Sequence, residues 1–145
     1  MKLIIGGLAL AAMAGVLWAR SRYVVVTVQG TSMVPTLSDG DRVLVRRLRI
    51  DRVSAGDVVV LEPPLTSAEL GPRDPDGPRW NIKRAVALPG DPVPPGIGAG
   101  AARVPAGALV VLGDNADSVD SRQRGFFDAD RLLGVALRRL GGSPL

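Results

Sequence analysis

The chain opens on an uninterrupted apolar run, Leu3 to Ala19 (LIIGGLALAAMAGVLWA), without a charge. A bilayer crossing needs about 17–25 such residues, so the run is just long enough to span one. Trp18 and Tyr23 stand where interfacial aromatics belong, and Arg20 and Arg22 follow where long cations reach head groups. The competing reading is a cleaved export signal with Ala12-Met13-Ala14 as its small-residue site. Only Met1-Lys2 would then precede the apolar stretch, which continues beyond that site. An uncleaved anchor over residues 1–22 is the expectation. Charge does not orient it, because Lys2 and the amino terminus stand against Arg20 and Arg22.

Beyond residue 22 the pattern shortens to strand-sized segments. Tyr23 to Gln29 (YVVVTVQ) is rich in β-branched residues and stops at Gly30. Arg42 to Leu48 and Asp57 to Leu61 follow, each introduced by a Gly-Asp turn. Trp80 to Leu88 (WNIKRAVAL) ends at Pro89-Gly90, Ala108 to Leu112 runs into Gly113-Asp114-Asn115, and Leu132 to Arg138 is the last candidate. Pro- and Gly-rich loops separate them, notably Pro63 to Arg79 and Pro92 to Gly107. The pattern predicts a mainly β protein: one antiparallel, partly closed β domain over residues 23–145, behind one N-terminal transmembrane helix. That length holds one modest core and not two independent domains.

Composition narrows the chemistry by what is missing. There is no histidine, which excludes a Ser-His-Asp triad and His-dependent zinc sites. There is no cysteine, which excludes thiol catalysis, disulfides and iron–sulfur ligation. The net charge of +4 is not gathered into a basic tail, and aromatics make up 3%, too few for stacking platforms; a nucleic-acid partner is not expected. Of the basic residues only Lys2 and Lys83 are lysines. Codon bias accounts for an arginine excess, but arginine cannot shed its proton to act as a base. Lys83 is therefore the one lysine of the soluble part that can.

Three clusters carry candidate chemistry. Gly30-Thr31-Ser32-Met33-Val34-Pro35-Thr36-Leu37 follows a strand, with Gly30 permitting a sharp turn and Pro35 ending strand pairing. A serine there can present its hydroxyl to a groove, although a serine in such a turn is more often a turn residue only. Lys83 sits mid-strand, where alternation sets Asn81, Lys83, Ala85 and Ala87 on one face and Ile82, Arg84, Val86 and Leu88 on the other. Small neighbours leave space beside the amine, and burial lowers a lysine pKa from about 10.4 toward the working range of a base. The alternative is an edge-strand lysine that blunts aggregation. The third cluster, Gly113 to Arg122 (GDNADSVDSR), has no closing glutamate and no flanking helical pattern for a calcium loop. It reads instead as a polar network in which Asp120 and Arg122 brace a loop and Ser118 holds the lysine amine.

In this order the segments resemble the type I signal peptidases, the Ser-Lys membrane proteases that include the mitochondrial inner-membrane peptidases. The matching stretches are Ser32 to Leu37, Gly40 to Val45 (GDRVLV), Lys83 to Asp91 (KRAVALPGD) and Gly113 to Arg122, and the likeness runs from about residue 3 to residue 137. The resemblance implies that Ser32 attacks the scissile carbonyl and that neutral Lys83 takes its proton. It implies that Ser118 orients the lysine, that Asp120 and Arg122 form a structural ion pair, and that the Ser32 N–H faces the oxyanion. Gly30 stands where some members carry a second oxyanion hydroxyl. Met33 and Ala85 are the expected substrate-contacting residues, for an extended substrate with small residues at the cleavage site.

The implied partners are signal-peptide-bearing proteins and the lipid bilayer, with the catalytic domain on the outer face; no cofactor or metal is implied, and no feature of the sequence speaks to oligomeric state. Two departures stand out. The Asn115–Ser118 spacer is one residue shorter than in the most familiar members, and the short Leu88–Leu112 connection reduces their second β subdomain to a loop. A general enzyme and one dedicated to a single substrate both fit this minimal core. The alternatives are a repressor-cleaving Ser-Lys autoprotease, which should carry a DNA-binding segment where this chain has its apolar run, and a non-catalytic envelope β module.

Overall fold

The computed structural model describes residues 2–62, 80–97, 100–142 and 145, with side chains from residue 10 onward. The expected Pro63–Arg79 loop lies outside the described residues. Helix α1 (Lys2–Arg22) runs directly into β1 (Tyr23–Thr27). Its side chains at Leu10, Met13, Val16, Leu17 and Trp18 are exposed. Among the described residues no helix is long and apolar enough to cross a membrane. The expected transmembrane helix is thus met as a helix and not as a span.

Six more strands follow: β2 (Arg42–Arg47), β3 (Val58–Leu61), β4 (Asn81–Ala87), β5 (Ala108–Leu112), β6 (Phe127–Asp128) and β7 (Leu132–Arg139). They form one antiparallel sheet in the order β1-β2-β7-β3-β4-β5-β6. The last long strand therefore returns to the middle, between β2 and β3. The expected partial closure is not formed by strands, because β1 and the two-residue β6 end the sheet unpaired with each other. Loop contacts draw the segments after β1 and β5 together instead, with the Asn115 N–H donating to the Ser32 carbonyl at 3.1 Å.

Both faces of the middle strands are covered, which is why β3 reads as a continuous apolar run and not as an alternation. Val58 and Val60 pack with Val26, Val43, Val45 and Ile82 on one side, while Val59 and Leu61 pack with Ala85, Leu109, Val111 and Val135 on the other. On β4 the alternation holds as far as Ala85, and a register shift between Ala85 and Ala87 then breaks it. The Pro92–Gly107 connection folds back on itself through a bridge between Pro92 and Arg103 and buries Val104 against Ala87 and Val110.

A short helix, α2 (Ser121–Arg124), was not expected from the sequence. Asp120 caps it, accepting from the Arg122 N–H at 3.1 Å, while the Gln123 side chain accepts from the Asp120 N–H at 2.9 Å. The same carboxylate takes a fork from the Arg122 guanidinium at 2.9 and 2.7 Å and the Gly113 N–H at 2.8 Å, so it fastens α2 to the end of β5. Asp120 is fully buried. Burial alone would raise its pKa, but the Arg122 hydrogen bonds and the two backbone donors outweigh that and hold it at about 2, against an ordinary 3.8. Its contribution to stability is therefore complete above about pH 4 and is lost as the pH falls toward 2. Asp120→Asn should lower the melting temperature at pH 7 and flatten its fall between pH 4 and 2. Thermal unfolding followed by circular dichroism checks both, and a variant with the wild-type acid profile would contradict the assignment.

Candidate active site

The loop that follows β1 is built to hold Ser32 still. Val28 continues the β1–β2 ladder, donating to Asp41 and accepting from Gly40 at 2.7 and 2.9 Å. Gly30 then turns the chain at φ +82°, a left-handed conformation that favours glycine, and its N–H donates to the Asp39 carboxylate at 2.6 Å. From Met33 to Leu37 the chain makes a turn, closed by the Leu37 N–H donating to the Met33 carbonyl at 2.9 Å. Met33 and Leu37 both enter the core, where they are buried. Ser32 and Thr36 remain half-buried at the surface of the turn.

Two residues of the opposing loop pin this turn. Asn115 donates its side-chain amide to the Thr31 carbonyl at 3.0 Å and its backbone N–H to the Ser32 carbonyl at 3.1 Å. Asp114 accepts from the Thr36 hydroxyl at 2.5 Å and from the Arg84 fork at 2.9 and 2.6 Å, and Arg84 also donates to the Gly56 carbonyl at 2.8 Å. The Arg84 fork holds the Asp114 carboxyl below the usual range against its partial burial, and the Thr36 bond adds to this. Arg84, Asp114 and Thr36 were not singled out in the sequence. Alternation assigned Arg84 to the face away from Lys83, and it does turn away, gripping Asp114 there. The available signal was its place next to Lys83 and that of Asp114 within an already notable cluster.

Lys83 lies on β4 opposite Val59 and is 5% exposed. Burial is the largest influence on its amine and drives the pKa down. Asp120 works against this by attracting the proton, while Arg124 and Arg122 repel it; the net direction is down. The Ser32 hydroxyl donates to the carbonyl of Ile82 at 3.4 Å, so it rests on the peptide that joins Ile82 to Lys83. Among the described residues no hydrogen bond joins the Lys83 amine to Ser32.

The remaining expected residues fall as follows. Ser118 is buried beside the site, but its hydroxyl has no hydrogen-bond partner among the described residues, so the expected bond to Lys83 is not made. Its backbone N–H donates to Asn115 at 3.1 Å, the tight turn that the shortened spacer dictates. Gly113 leaves the room for this arrangement: a Cβ there would collide with the Ser118 side chain and lie 2.5 Å from the Ser32 carbonyl. Asp120 and Arg122 pair as expected, at 2.7 Å. Met33 and Ala85, the expected substrate-contacting residues, are 1% and 0% exposed and pack within the two hydrophobic clusters. The exposed residues flanking Ser32 are Gly30, Thr31 and Val34. Among the described residues no cluster suits a metal ion.

A half-buried serine hydroxyl seated on the strand that carries one buried, proton-averse lysine can support nucleophilic chemistry without histidine. Comparison with known proteins places the chain in a family. The model of the family described as signal peptidase, peptidase S26 matches residues 1–95 and 96–140. The chain is 32% identical to a probable signal peptidase I-1 of Synechocystis sp. across 74% of its own length and 66% of that protein's. It is 29% identical to a signal peptidase I of Leptolyngbya laminosa, with 83% of this chain and 68% of that one covered. It thus spans about two thirds of the length of these relatives. With nearly its whole length matched, the chain belongs to the signal peptidase family, peptidase S26.

Proposed function

We propose that the chain is a membrane-anchored serine endopeptidase that removes signal peptides from exported proteins, with Ser32 as nucleophile and Lys83 as general base. The observation that carries this reading is the burial of Lys83 on the strand whose adjoining carbonyl holds the Ser32 hydroxyl. Both relatives bear the name signal peptidase I.

In the proposed reaction the Ser32 oxygen bonds to the scissile carbonyl carbon while its proton passes to the neutral Lys83 amine. The carbonyl oxygen becomes an oxyanion facing the Ser32 N–H. Breaking the C–N bond returns the proton from the Lys83 ammonium to the leaving amine and leaves an ester on Ser32. Water, giving its proton to Lys83, then releases the signal peptide's carboxylate, and the proton returns to the Ser32 oxygen. Gly30 offers no hydroxyl to the oxyanion, so the backbone bears more of that charge. Asp114, Arg84 and Asn115 keep the nucleophile loop at a fixed distance from β4. The Ser118 hydroxyl, buried and without a hydrogen-bond partner among the described residues, keeps its bonding capacity for the lysine amine.

The anchor reading rests on α1 and the sequence it carries. Its 21 residues make a helix about 31 Å long, close to the roughly 30 Å of a bilayer's hydrocarbon core. Its last turn holds Arg20 and Arg22 beside Trp18, as at a membrane interface. The catalytic domain then stands against the outer face, where exported chains emerge.

Ser32→Ala and Lys83→Met should each reduce kcat/KM on a signal-peptide substrate by at least about 100-fold. Lys83→Met should unfold at an equal or higher temperature, since it no longer buries an amine. Turnover at the wild-type rate in either variant would contradict the dyad. Because the free amine is the active form, activity should rise with pH through a pKa lower than an ordinary lysine's, and Lys83→Arg should be inactive throughout. A flat rate from about pH 5 to 9 would count against a titrating base. Gly113→Ala should lower kcat more than it raises KM, measured by steady-state kinetics, because its Cβ displaces Ser118 and the Ser32 carbonyl. An unaltered kcat would show that neither position matters to the chemistry.

A further inference from the structure

The register of β1 and β2 sets two different surfaces at the two ends of the pair. Thr27 faces Arg42 at the end that leads to the Ser32 loop, and Tyr23 faces Arg46 at the other end, where α1 enters. A cleft of about 500 Å³ opens there, lined by Arg22, Arg46, Arg47, Leu48, Arg49, Asp51 and Arg52. Five guanidinium groups thus share one carboxylate. Asp51 lies 3.8 Å from both Arg49 and Arg52, on a surface where all three side chains are well exposed and such pairs hold weakly. Among the described residues neither Arg46 nor Arg47 has an ion-pair partner. Arg22 lies 5.8 Å from the Trp18 ring centre, so the cleft continues into the exposed apolar surface of α1.

We propose that this arginine cleft binds the phosphate head groups of anionic phospholipids and so seats the domain on the bilayer that α1 enters; the inference rests on the anchor reading above. Five cations gathered against one anion repel one another and are relieved by a concentrated counter-charge. Guanidinium groups pair with phosphate oxygens in a two-pronged geometry. The abutting apolar helix with its terminal Trp18 selects a lipid source for that phosphate, since a nucleic acid would meet a hydrophobic wall and no stacking surface in the cleft. Each arginine near an anionic leaflet strengthens adsorption roughly fivefold.

The test uses the full chain in vesicles of phosphatidylcholine, with or without about 30% phosphatidylglycerol. The protein has no cysteine, so Ser54→Cys, an exposed position just beyond the cleft, takes a single fluorophore, and nitroxide-labelled head groups quench it on approach. Quenching should be at least about threefold stronger with the anionic lipid and should fall to the neutral-lipid level at about 0.5 M salt. The combined variant Arg46→Gln, Arg47→Gln, Arg49→Gln, Arg52→Gln should lose the difference while cleaving a soluble peptide at the parent rate. Equal quenching in both lipids, or a difference that survives the four substitutions, overturns the proposal. So does an oligonucleotide or inorganic phosphate that protects the arginines while lipid composition has no effect. Protein stripped from vesicles by an alkaline wash refutes the anchor itself, whereas retained protein with lipid-independent quenching refutes only the cleft's role.

Discussion

An ammonium group taken out of water has to be compensated or has to lose its proton, and the region around β4 is organised by that constraint. Lys83 is buried on β4, and the carboxylate that attracts its proton, Asp120, is already engaged by Arg122 and by two backbone donors. Asp120 draws a proton toward Lys83 less than burial drives it away, and Arg122 and Arg124 add repulsion. The arrangement keeps a carboxylate near the amine without letting it become the amine's ion-pair partner. A direct Lys83–carboxylate pair would hold the proton and remove the base.

Rigidity comes from a second set of charges on the other side of the strand. Arg84, adjacent to Lys83 and facing away from it, grips Asp114, and Asp114 takes the hydroxyl of Thr36. One carboxylate therefore ties β4, the β5 loop and the Ser32 turn together. Met33 and Leu37 peg that turn from within, and Gly113 keeps its approach to Ser118 free of side-chain bulk. Such close fixing matters because the effectiveness of a nucleophile depends on sub-ångström placement relative to its base.

Much of this was legible in the sequence because it depends on local chemistry. Strands β1 to β5 and β7 were visible as β-branched runs between Gly and Pro turns, and Lys83 stood out because arginine replaces lysine almost everywhere else. Strand β6 was not visible, since two residues carry no periodicity, and α2 has no apolar face to reveal it; only its Asp120 cap and Gln123 mark it. The return of β7 between β2 and β3 depends on pairings distant in sequence, and so does the open sheet where partial closure was expected. Of the candidate site, Lys83 and the Asp120–Arg122 pair were readable from residue type and Ser32 from the family resemblance, whereas the burial of Met33 and Ala85 was not, because it is a property of the packed sheet. The Arg84–Asp114–Thr36 clamp joins residues 30 and 78 positions apart, a distance that no local pattern spans.

The proposed role of Lys83 requires that its amine give up a proton more readily than an ordinary lysine, because the fold denies its ammonium water and a free counter-ion. The direct measurement is an NMR titration of lysine side chains labelled with carbon-13 and nitrogen-15. Lys2 and Lys83 are the two lysines of the sequence, so Lys83→Met identifies the Lys83 signal. The account predicts that this signal titrates well below the ordinary lysine value of about 10.4. A Lys83 signal titrating at or above that value would contradict it.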